Sequence, residues 1–130
     1  MAKLGRKSIT ILATCDERIR TLVEVVVREL REDDPVCHDL TVISGYRTDE
    51  EQAQKVREGN SLTLHSKHRE TPSEAVDIAP YPVDWADEDA FVYLAGRVMA
   101  TADRLGIKIL WGGSWVKLRD LGHFELLQED

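Results

Sequence analysis

Residues 74–81, EAVDIAPY, constrain the fold more tightly than any other stretch of the chain. Period-two alternation makes them a strand, with Ala75, Asp77 and Ala79 on one face and Val76 and Ile78 on the other. Pro80 and Pro82 end it. A strand with one apolar face and one acid-bearing face needs neighbouring strands and a cover for its apolar side. The rest of the chain supplies both.

Residues 16–32 read as a helix. Ile19, Leu22, Val23, Val26, Val27 and Leu30 form one apolar stripe, with Thr14 or Asp16 as the cap and Pro35 beyond the end. Residues 39–47 are a β-branched run and read as a strand. Thr48 and Glu51 make a capping box for a helix over 48–60, which Gly59 stops. That helix has only Ala53 and Val56 as an apolar face, so it is expected to be mostly exposed. Residues 61–73 read as loop.

The longest helix signal covers 86–106, with Phe91, Leu94, Ala95, Val98, Met99, Ala102 and Leu105 as its core stripe and Gly106 as its stop. Strands over 107–113 and 123–127, joined by SWVKLRDLG, complete the chain. The order is α, β, α, loop, β, α, β, β. It predicts a small α+β fold, an antiparallel sheet with helices packed on it, in a single domain over 1–130.

The net charge of −7 argues against a nucleic-acid partner, because phosphate contacts need clustered cations. The basic KLGRK at residues 3–7 is too short to reverse this and reads as a solvated tail. No stretch approaches the length of a membrane span, and ITILA is too short for the core of a signal peptide. The chain is therefore expected to be made and folded in the cytoplasm. Cys15 and Cys37 stand outside any CxxC pattern and read as two free, partly buried thiols.

The chemistry-bearing residues are spread widely. His68 lies nine positions before Asp77, and His123 lies far downstream. Two imidazoles and a carboxylate are a donor set that zinc accepts, with one position left for water. Spacing alone leaves the bland reading open, in which the histidines are surface residues and Asp77 sits at a strand edge. His65 reads as a loop residue, and His38 beside Cys37 is not a metal motif. Asp120 precedes His123 by three residues, a place from which a carboxylate could take a proton from water; it could equally be a solvated loop acid. Arg47, at the end of a strand, could steady an oxyanion or grip a substrate carboxylate, or form an ordinary salt bridge.

Taken together, SGYRT (44–48), SKH (66–68) with EAVDIAPY, and GHFEL (122–126) resemble the zinc peptidase family of the D-Ala-D-Ala carboxypeptidases (VanY-like) and dipeptidases. Hedgehog signalling domains share that fold. The closest likeness is to single-domain phage endolysins that cut the L-alanyl-D-glutamate bond of peptidoglycan, and it spans nearly the whole chain. The family pattern is Ser-x-His, a short loop, Ala-x-Asp, then a His with an acid three residues upstream. Ser66, His68, Ala75, Asp77, Asp120 and His123 match it.

The resemblance implies a bound zinc ion held by His68, Asp77 and His123, with Asp120 as general base and Arg47 as oxyanion or carboxylate stabiliser. It implies a peptidoglycan stem peptide as substrate and host-cell lysis as outcome. It also implies action as a monomer that waits in the host cytoplasm and reaches the wall through a holin pore. A D,D-carboxypeptidase that trims terminal D-alanine, and a silent zinc-containing binding domain, are the alternatives. One departure stands out: the loop from His68 to Asp77 is two residues longer than the family's, with Ser73 where a glycine aligns. Residues 69–72 are expected to bulge outward.

Overall fold

The computed structural model describes residues 2–59, 66–114 and 119–127. Its elements run α1 (Arg6–Leu12), α2 (Glu17–Glu29), β1 (Leu40–Ser44), α3 (Asp49–Arg57), β2 (Ala75–Pro80), α4 (Glu88–Leu105), β3 (Ile109–Trp111) and β4 (His123–Leu126). The strands form an antiparallel sheet in the order β1-β2-β4-β3. This is the small α+β domain that the pattern of elements predicts.

The core lies on one side of the sheet. The stripe of α2 and most of the stripe of α4 pack together over Val76, Ile78, Phe124 and Leu126. All six stripe residues of α2 are buried, and Asp16 caps the helix by accepting the Arg18 N–H at 2.9 Å. In α4 the stripe holds except at Leu105, which is 40% exposed; it sits in the last turn, just before Gly106 turns the chain at φ 73°. Thr101 is buried, and its hydroxyl donates to the Arg97 carbonyl.

The basic N-terminal segment is not a tail. Arg6 and Lys7 are exposed, but they open α1, while Ala2 is buried and Leu4 packs against the core. The reason is the sheet's edge. An edge strand leaves N–H groups without partners, and Ser8 of α1 accepts the Val42 N–H of β1 at 2.9 Å and meets the Thr41 hydroxyl at 3.1 Å. Helix α3 forms behind the expected capping box and is mostly exposed. Its buried residue is Gln52, whereas Ala53 and Val56 are half-buried. The strand expected over 107–113 is shorter, because residues Gly112–Ser114 tighten into a 3-10 turn.

Both cysteines are buried and free. His65 and part of the connection between β3 and β4 lie outside the described residues.

Candidate metal centre and cleft

Three backbone devices bring the dispersed residues to one point on the sheet face opposite the core. The first is register: Asp77 of β2 pairs directly with His123 of β4, so their side chains leave the sheet side by side. The second is the 3-10 turn Lys67–Arg69, capped by the Ser66 hydroxyl, which accepts the His68 N–H at 3.2 Å. The His68 carbonyl accepts the Arg47 N–H at 2.7 Å, which docks this turn on the end of β1. The third is Gly45, whose carbonyl accepts His68 Nδ1–H at 2.6 Å. A Cβ at Gly45 would collide with Thr14 and Cys15, so glycine is needed for this close approach.

The longer loop between His68 and Asp77 is accommodated much as expected. Glu70, Thr71 and Pro72 are exposed. Arg69 instead folds back and pairs with Asp49 at the start of α3. Ser73 is fully buried: its N–H donates to the Thr14 carbonyl at 2.9 Å, and its carbonyl accepts the Asp16 N–H at 2.8 Å. The extra length thus loops out from a point anchored on the residues between α1 and α2.

His68 Nε2, His123 Nδ1 and Asp77 Oδ1 converge. Their separations are 3.2 Å between the two nitrogens, 3.2 Å from His68 to Asp77 and 2.9 Å from His123 to Asp77. Hydrogen-bond partners assign the tautomers. His68 gives its Nδ1 proton to Gly45, and His123 gives its Nε2 proton to Glu125 Oε1 at 2.9 Å. Each ring therefore turns a lone pair toward the same point, where a carboxylate oxygen also faces.

Three acceptors at such distances repel unless a positive charge lies among them. Without a metal, that charge is a proton. Burial opposes a charged His123, but hydrogen bonds to Asp77 and Glu125 outweigh it and push the imidazole up to about 9. Burial also works against the Asp77 charge, yet His68 and His123 hold its carboxyl well below the usual carboxylate range. The residues also fit a metal. A tetrahedral ion with bonds of about 2.0–2.2 Å sets its ligand atoms roughly 3.3–3.6 Å apart, slightly wider than the 2.9–3.2 Å found.

The remaining oxygen of Asp77 is held from behind. Oδ2 accepts the Ser44 hydroxyl at 2.7 Å and Arg47 Nη2 at 2.6 Å, while Arg47 Nη1 donates to Gln52 Oε1 at 3.1 Å. Arg47 is thus in the expected place, but its terminal nitrogens are engaged with Asp77 and Gln52. Glu125 links His123 to Lys67, whose ammonium lies 3.7 Å away and also reaches the Leu126 carbonyl.

Asp120 sits on the turn before β4. Its N–H donates to the Gly112 carbonyl at 3.1 Å, and its Oδ1 accepts the Gly122 N–H at 3.3 Å. Burial, and then the charge of Asp77, push its carboxyl up. With Arg47 and Asp77 it lines a cleft of about 370 Å³, whose walls include Ile43, Lys55, Ile78, Trp85 and Arg119. Trp85 is 66% exposed and stacks on Phe91 with ring centroids 5.6 Å apart.

All five residues singled out from the sequence therefore come together. Ser44, Gln52, Lys55, Trp85, Arg119 and Glu125 were not singled out. For Glu125 a signal existed: it lies two residues after His123 in a strand, hence on the same face. The others depend on tertiary placement.

The fold and the converging His–Asp–His group define a small α+β domain built around a group of side chains that could hold a metal ion. Residues 1–126 match the model of the phage L-alanyl-D-glutamate peptidase family, and the chain belongs to that family. It is 32% identical over 117 residues to the L-alanyl-D-glutamate peptidase of Escherichia phage T5, covering 87% of this chain and 81% of that protein. It also superposes on the crystal structure of the Serratia marcescens L-Ala D-Glu endopeptidase ChiX with a TM-score of 0.80 and 28% identity, over 97% of this chain and 91% of that one. No helix among the described residues is long and apolar enough to cross a membrane.

Proposed function

We propose that this chain is a zinc-dependent endolysin that hydrolyses the L-alanyl-D-glutamate bond of peptidoglycan stem peptides. The observation that carries this reading is the convergence of three lone pairs beside a cleft, within a chain of this peptidase family. His68 Nε2, His123 Nδ1 and Asp77 Oδ1 would hold the ion. Zinc bound there supplies Lewis acidity toward the scissile carbonyl and toward water.

Asp120 is the general base in this reading. Its raised carboxyl suits a group that takes a proton from the attacking water and delivers it to the departing glutamate nitrogen. Arg47 holds Asp77 in place and brings a fixed positive charge to the cleft wall, where negative charge develops on the carbonyl oxygen. Glu125 keeps His123 in the tautomer that presents Nδ1. We further propose that the enzyme acts as a monomer, held in the host cytoplasm until a holin pore admits it to the wall.

Digestion of purified peptidoglycan followed by mass spectrometry tests the reaction. New amino-terminal D-glutamate, absent when a chelator is added, is the expected product. Release of free D-alanine instead would identify a trimming carboxypeptidase, and an unaltered wall would refute a peptidase role.

A further inference from the structure

We infer that Lys55 and Arg119 form a clamp for the free carboxylate of the substrate's glutamate, and so set specificity on the leaving side of the scissile bond. This rests on the L-alanyl-D-glutamate reading above. A glutamate within a peptide uses one carboxyl to continue the chain and keeps the other as a free anion. The residue whose nitrogen is released therefore always carries a negative charge close to the bond that breaks.

That anion must enter a site with two acidic side chains, Asp77 and Asp120, on a chain of net charge −7. Charge beyond about 8 Å is screened at physiological ionic strength, so beside the proposed zinc ion, whose charge Asp77 partly neutralises, only cations in the cleft itself can offset this. Arg47, Lys55 and Arg119 line it. Arg47 is committed through its terminal nitrogens: Nη2 donates to Asp77 and Ser44 and Nη1 donates to Gln52, while Nε is buried without a hydrogen-bond partner among the described residues. Turning Arg47 to the substrate would release Asp77.

The other two cations are available. Lys55 of α3 forms no ion pair among the described residues, although Glu50, Glu51 and Glu58 surround it on the same helix. Arg119 is anchored by Nε, which donates to the Gly113 carbonyl at 3.1 Å; its terminal nitrogens make no hydrogen bond among the described residues. An Arg fixed at Nε with its outer edge open is well placed to receive a carboxylate. Arg119 and Asp120 line the same cleft, so the clamp would lie beside the leaving side of the bond.

The test is steady-state cleavage of two synthetic stem peptides, identical except that one carries the free glutamate carboxylate and the other the neutral amide. The parent enzyme is expected to prefer the acid about tenfold in kcat/KM. Lys55→Gln and Arg119→Gln should each raise KM for the acid about three- to fivefold with kcat held, and together they should erase the preference. Lys55→Arg should retain it. Melting temperatures near the parent's would exclude misfolding. The inference is overturned if the parent does not distinguish the two peptides. It is equally overturned if the double variant still prefers the acid, or if it loses kcat on both peptides alike. If the parent cleaves neither, the underlying reading itself fails, and the clamp with it.

Discussion

The two faces of the central sheet obey opposite rules. On one, Val76, Ile78, Phe124 and Leu126 are each 1% exposed and pack under α2 and α4. On the other, only one residue away along the same strands, Asp77, His123 and Glu125 crowd charge into a half-buried space. Burying one large apolar side chain contributes about 1.5–3 kcal/mol, whereas charges taken from water cost several kcal/mol unless closely paired. The strands therefore gain stability on one face and carry the candidate metal-holding group on the other. Register couples the two: Val76 opposite Phe124 is one rung of the ladder, and Asp77 opposite His123 is the next.

If this division holds, variants on the two faces should fail in different ways. The largest effect belongs to the cleft: Asp120→Ala should lower the rate of peptide cleavage about 10²- to 10⁴-fold, while metal content and melting temperature stay near the parent's. Full activity would remove Asp120 from its role. Phe124→Ala lies on the core face and should cost about 3–5 kcal/mol of unfolding free energy by denaturant titration. Metal binding should weaken with it, since the adjacent rung loosens.

Glu125→Gln sits between these extremes. It leaves the core intact but weakens the hydrogen bond that sets the His123 tautomer, so metal affinity should fall about 10- to 100-fold, with little change in the metal-free protein's stability. Equal affinity would mean that Glu125 does not orient the ring.

The smallest effect sharpens the comparison at the core. Burial pushes the thiols of Cys15 and Cys37 up to about 11 from an ordinary 9.0. The folded state then keeps protons that the unfolded chain releases. Stability should be unaffected by these groups below pH 9 and should fall as pH rises from 9 to 11. Replacing both with alanine should flatten that part of the stability profile, and native thiols should label slowly at pH 8.

Much of the core face was legible in the sequence because its signals are local. The stripes of α2 and α4 repeat at helical spacing, and EAVDIAPY alternates at strand spacing. The candidate ligands and Asp120 could be picked out differently, through a motif order that composition and spacing alone left ambiguous. Helix α1 was not legible. It has seven residues, and Gly5 offers no side-chain cap. What holds it is Ser8 on the edge of β1, a partner 34 residues away.

Gln52 was not legible for the same reason. A polar residue on an acidic helix reads as solvated, but here it is buried because Arg47 donates to it. Lys55, Trp85 and Arg119 come from three separate segments, and only the folded chain shows that they share a cleft.

The central claim is that His68, Asp77 and His123 together bind one zinc ion. Calorimetric titration of chelator-stripped protein with zinc tests it most directly. One equivalent per chain should bind, with affinity at least 100-fold weaker in His68→Ala and in Asp77→Asn, both checked for folding by circular dichroism. No saturable binding by the parent, or undiminished binding by both folded variants, would contradict it.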